Sequence, residues 1–134
     1  MINQTLVNPE VPLGGTIRET LFWEGIAPSG TTHTFYLLSF YGTGTTMEEI
    51  LANVVTYNYI TGDIVGPGQS VQSEIDSLID EGAPLGKFSC ATIIADGFDG
   101  STITGIYDTQ IDVDVLTITP GLGATIISTN FTPI

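Results

Sequence analysis

Alternation of apolar and polar positions divides the chain into strand-length runs separated by Gly- and Pro-rich punctuation. The stretch from Gly66 to Ala95 shows the pattern best. It holds a Gly-Pro-Gly turn, an alternating run, an acidic segment, a second turn at Gly82–Gly86 and a continuous β-type run from Lys87 to Ala95. The same grammar predicts an edge strand at Ile2–Val7, with Pro9 and Pro12 removing backbone donors after it. Thr16–Glu24 follows, with Ile17, Leu21 and Trp23 on one parity and Arg18, Thr20 and Glu24 on the other. His33–Tyr41, the most aromatic stretch, reads as a central strand buried on both faces.

Thr46 then caps a short helix at Met47–Val54, with Glu48 and Glu49 in its first turn. Val55–Thr61 places Val55, Tyr57 and Tyr59 on one face, and Gln69–Ile75 alternates again. Asp76–Glu81 reads equally as one helical turn or a bulged edge. After Lys87–Ala95 come a loop at Asp96–Ser101 and an interrupted last strand, Thr102–Tyr107 and Ile111–Thr119. In its second part Ile111, Val113 and Val115 face the core, while Asp112 and Asp114 point outward and discourage edge pairing. The expected fold class is therefore all-β, a sandwich of about seven to eight strands over residues 1–119 with one short helical insertion. Residues 120–134 form a C-terminal arm.

Charge narrows the partners. Two basic residues, Arg18 and Lys87, stand against fifteen acidic ones, a formal charge of −13. Phosphate backbones and anionic membranes both require clustered Lys and Arg, so neither nucleic acid nor a membrane is an expected partner. Only 13% of residues are charged, against roughly 25% in typical domains, so hydroxyl and amide groups carry the solvent-facing surface. Cys90 is the sole cysteine, which excludes an internal disulfide and a Cys-based metal cage. The opening MINQTLVNPE lacks a basic n-region and an apolar h-region, so no signal peptide is expected.

Candidate chemistry is sparse. His33 is the only histidine, and Ser29 and Ser39 are potential nucleophiles, but no G-x-S-x-G elbow is present and His33 reads as a strand-edge residue. Cys90 shares its parity with Phe88, Thr92 and Ile94 and reads as a small buried side chain. No catalytic residues and no cofactor are expected. The metal candidate is calcium, held by Asp96, Asp99 and Asp108 around a Gly-flanked loop that could supply carboxylate and carbonyl oxygens. Beyond the last strand, Ala124–Ser128 is an apolar β-type run that folds back, adds to a partner's sheet edge or stays mobile. The candidate partner-binding residues are Ile2, Leu6, Ala124, Ile126, Ile127 and Phe131 in the two terminal arms.

Three segments carry a family resemblance: Pro67-Gly68-Gln69-Ser70 before a middle strand, Ala83-Pro84-Leu85-Gly86-Lys87-Phe88 entering the penultimate strand, and Ile111–Thr119 closing the domain. Over residues 2–119 the chain resembles immunoglobulin-like β-sandwiches of the adhesion-related type. Those occur in prokaryotic surface proteins and in phage and virus decoration or tail proteins. The helical insertion, the arm and the lack of a Cys–Trp–Cys arrangement depart from the antibody pattern. The resemblance implies a non-catalytic structural or interaction module of a virion or extracellular surface, self-assembling through its terminal arms. The alternative it implies is a carbohydrate-binding or adhesion module using Tyr36, Tyr57 and Tyr59, with or without calcium.

Overall fold

The computed structural model describes residues 2–6, 10–120 and 127–134, with the first of these segments described as backbone only. Among them the chain is all-β with one short helix. In order it runs β1 (Ile2–Leu6), β2 (Glu10–Pro12), β3 (Thr16–Ile26), β4 (Thr32–Gly42), α1 (Met47–Ala52), β5 (Val54–Val65), β6 (Gly68–Leu78), β7 (Gly86–Phe98) and β8 (Ile103–Thr119). Three strands form one sheet in the order β1-β3-β6, and five form the other in the order β2-β8-β7-β4-β5. All neighbours are antiparallel except β2, which runs parallel to β8. Pro12 thus lies on an edge strand, where its missing N–H costs no ladder bond.

Period-two alternation sends one side of each sheet inward. At one end of the interior, Leu21 and Trp23 of β3 and Ile75 of β6 meet Phe35, Leu37, Ile64 and Ile94 from the opposite sheet. At the other, Ile17 and Ile79 meet Tyr41, Phe88, Leu116 and Ile118. Trp23 therefore packs between the sheets, edge-on to Phe35 at 5.6 Å, and its Nε1 donates to Ser73 Oγ at 3.0 Å. The edges β5 and β6 belong to different sheets and are stitched by side chains. Thr56 Oγ1 donates to the Leu78 carbonyl at 2.8 Å and Asn58 Nδ2 to the Asp76 carbonyl at 2.6 Å.

The five-stranded sheet is also buried on its outer side. Leu38 and Phe40 of β4 and Ala91, Ile93 and Ala95 of β7 form a third cluster with Ile50 of α1. The helix is seated by its expected cap: Glu49 N donates to Thr46 Oγ1 at 3.2 Å, and Thr46 Oγ1 donates to Glu49 Oε1 at 3.1 Å. It ends at Ala52, two residues earlier than the pattern predicts, because Val54 already pairs with Gly42.

Several boundaries differ from expectation for identifiable reasons. Asp76–Leu78 is neither a helical turn nor a bulge. It continues β6 in unbroken register against Thr16–Arg18, with Asp76 bound by Arg18 at 2.8 Å. Asp96–Phe98 is strand and not loop, and β8 runs without interruption from Ile103 to Thr119. The parity read for Asp112 and Asp114 is overturned by a bulge. Phe88 pairs with Leu116 but Cys90 with Asp112, so two steps along β7 match four along β8. Asp114 adopts φ 52° there and its N–H is satisfied by Ser89 Oγ at 3.1 Å. The bulge sets Asp112 opposite inward-facing Cys90, while Ile111 joins the outer cluster.

Gly62 is required by close packing: a Cβ there would lie 2.7 Å from Trp23 Cζ2. Gly62→Ala should destabilise the fold by about 1–3 kcal/mol through overpacking. Gly82→Ala, whose added carbon would meet nothing nearer than Asp80 Oδ1 at 3.7 Å, should stay within about 0.5 kcal/mol of the parent. Urea unfolding of both variants checks this, and equal effects would contradict the packing assigned to Trp23.

Candidate functional site

The inner faces carry a polar layer that the alternation conceals. On β3, Glu19 sits between Ile17 and Leu21; on β4, Ser39 lies between Leu37 and Tyr41. Thr92 on β7 and Ser77 on β6 occupy the same place between the two inner apolar clusters, and all four side chains are buried. Thr92 Oγ1 donates to Glu19 Oε2 at 2.7 Å, and Cys90 Sγ approaches the same oxygen at 3.9 Å and Ser39 Oγ at 3.6 Å. Glu19 Oε1 and the hydroxyls of Tyr41 and Ser77 make no hydrogen bond among the described residues. Burial pushes the Glu19 carboxyl above its ordinary range, and the hydroxyls of Thr92 and Ser39 pull it only partly back. Burial likewise raises the Tyr41 phenol.

The outer face of the five-stranded sheet carries an aromatic row. Phe40 stacks on Tyr57 with centroids 5.5 Å apart, and Tyr36 stacks on Tyr59 at 6.0 Å. The end of the β7–β8 hairpin bends over them. Ala95 still pairs with Tyr36, yet three residues later the Phe98 ring lies edge-on to Tyr59 at 5.2 Å and to Tyr57 at 6.1 Å. Where this cover stops, a cavity of about 630 Å³ opens. Its walls are Phe40, Tyr57 and Phe98 with Leu51 of α1, Val54 and Leu78, and its rim includes Asp80 and Ser101. The volume is in the range of ligand-sized clefts, and the lining is mixed, with Thr56 among the apolar side chains. Tyr57 is 47% exposed and Tyr59 41%.

A third group lies at the end of β4. His33 Nε2 is 2.6 Å from Asp96 Oδ1, and the Tyr107 hydroxyl donates to the same oxygen at 3.2 Å. The His33 ring packs edge-on to Phe35 at 4.7 Å. The contact with Asp96 engages one ring nitrogen, Nε2, and leaves Nδ1 as the other. Ser39, the nucleophile nearest in sequence on the same strand, is in the interior, and Ser29 lies in the exposed turn after β3.

The calcium candidates do not converge. Asp96 is held by His33 and Tyr107. Asp99 Oδ1 accepts from the backbone N–H of Ser101 and Thr102, closing an Asx turn. Those amides draw the Asp99 carboxyl below its usual range. Asp108 Oδ1 accepts from Thr109 N, and among the described residues no three acidic, His or Cys side chains group as a metal site. Of the partner-binding candidates, Ile127 and Phe131 are exposed at 96% and 88%. Ala124 and Ile126 lie outside the described residues, and Ile2 and Leu6 are described only as backbone of the edge strand β1. Residues 127 and 128 are not strand, so the part of the Ala124–Ser128 run that is described differs from expectation. Glu19, Leu51, Leu78 and Phe98 enter the sites without having been singled out. Glu19 was legible, since it shares the parity of Ile17 and Leu21.

The raised Glu19 carboxyl has a signed consequence. Below the unfolded-state value, about 4.3 for a glutamate, the group is neutral in both states and adds no penalty. As pH rises through the higher folded value, the buried group must ionise or hold its proton against solvent, and stability is lost. Glu19→Gln should therefore unfold at higher urea than the parent at pH 8, with the gap closing as pH falls toward 4. A gap independent of pH would contradict a buried neutral carboxyl.

Comparison with family models, with curated proteins and with solved structures returns no match to this chain.

Proposed function

We propose that this chain is a non-catalytic immunoglobulin-like module that builds or decorates a multimeric assembly on a virion or other extracellular surface. Its contacts run through its terminal arms. The observation that carries the reading is the last segment: Ile127, Phe131 and Ile134 stand almost wholly in solvent beside a body whose interior is closed. Three large apolar side chains exposed within one short segment favour an interaction role for it. The strand order supports the module type. Taking β1, β3, β4, β6, β7 and β8 as A, B, C, E, F and G, the sheets hold A-B-E and G-F-C, the partition of that fold. The strand β1 adds an open sheet edge for strand addition.

A second reading, glycan binding, draws on the exposed Tyr57 and Tyr59 beside the cavity. One face of each is stacked, on Phe40 or Tyr36, and Phe98 stands edge-on beside both, so the geometry suits an inserted apolar group better than a flat sugar ring.

Light scattering on the full chain should give a multimer whose mass rises with salt, because bodies of charge −13 repel until screened. The triple variant Ile127→Ser, Phe131→Ser, Ile134→Ser should be a monomer in the same buffers. A parent that stays monomeric at every salt concentration would overturn self-assembly.

A further inference from the structure

We infer that residues 127–134 of one copy dock in the aromatic cavity of a second copy, with Phe131 as the anchor. The inference rests on the assembly reading and names the surface that receives the arm. The cavity is walled by rings already arranged edge-to-face: Phe98 meets Phe40 at 6.2 Å and Tyr57 at 6.1 Å, both near perpendicular. A further ring entering beside Phe98 extends that arrangement without disturbing it. Leu51, Val54 and Leu78 add aliphatic walls beside the polar Thr56, Asp80 and Ser101, and Leu51 and Leu78 are 38% and 64% exposed. An apolar occupant would remove part of that surface from water.

The chain itself supplies an occupant of this chemistry. ISTNFTPI presents Ile127, Phe131 and Ile134, and its own body covers none of them. The charge distribution favours a second copy as the receiver. From Pro120 to Ile134 no side chain is charged, whereas the rest of the chain carries the whole excess of −13. This segment is therefore the part of one copy that approaches another with the least like-charge cost. The phenyl ring of Phe131 is the largest side chain in the segment, and buried aromatics dominate the energetics of such contacts.

Sedimentation velocity on the full chain separates this proposal from the one it rests on. Phe131→Ser and Leu51→Asp should each weaken association at least about 10-fold, and Leu78→Asp, on β6 where Leu51 is on α1, should do the same. Leu51 and Leu78 are partly exposed, and an unchanged urea midpoint in each variant shows that the fold is kept. Loss of association with Phe131→Ser alone would overturn the cavity as the receiver while leaving arm-mediated assembly standing. Loss with the cavity variants alone would overturn the arm as the occupant. A parent that is monomeric throughout would overturn both readings.

Discussion

The hydrogen bond from Thr92 to Glu19, 2.7 Å long and sealed between two apolar clusters, fixes how the sheets face each other. Glu19, Ser39, Ser77 and Thr92 each lie midway along an otherwise apolar inward row. Sliding one sheet by a pleat would set the carboxyl against Leu or Ile and leave it without its donor, a loss larger than that of a misplaced methyl. In sheet register the layer continues sideways, with Asn58 paired to Ser39, Ser39 to Thr92 and Thr92 to Gln110. Nonspecific apolar packing would tolerate several registers; a single polar layer selects one. Burial between those clusters makes the carboxyl hold its proton above its usual range, and the hydroxyls of the layer only partly offset it.

A second constraint follows from the width of the larger sheet. Its central strands β4 and β7 are apolar on both sides, so the outer face needs cover of its own. The insertion α1 supplies some through Ile50, and the bent hairpin end supplies more through Phe98 and Ile103. The cover is incomplete beside Leu51 and Leu78. The proposed docking gives the helical insertion, the bent hairpin and the uncharged arm a common purpose: each shapes or fills one apolar surface that the strands alone leave unfinished.

Element existence was largely readable because turn chemistry and parity are local. Gly14-Gly15, Gly66-Pro67 and Gly82–Leu85 fall between strands, Gly68 and Gly86 open β6 and β7, and Thr46 caps the helix it was expected to cap. The failures occur where a distant partner decides. Asp112 and Asp114 follow strict alternation in sequence, but the bulge opposite Ser89 resets the phase, and only the pairing with β7 dictates it. Asp96, Asp99 and Asp108 are close along the chain, but sequence alone does not show which partners each carboxylate takes, and those of Asp96 are remote. They include His33, 63 residues away. The cavity was not legible at all, because its walls come from β4, α1, β5, β6 and the hairpin end. Glu19 is the opposite case, a buried acid announced by its own parity.

The most direct measurement is an isotope-filtered NMR contact experiment on a mixture of uniformly labelled and unlabelled full chains at high salt. The account predicts contacts between the Phe131 ring of one copy and the Tyr57 and Phe98 rings of the other. Contacts from Phe131 confined to its own chain, or reaching a partner only at residues outside the cavity, would contradict it.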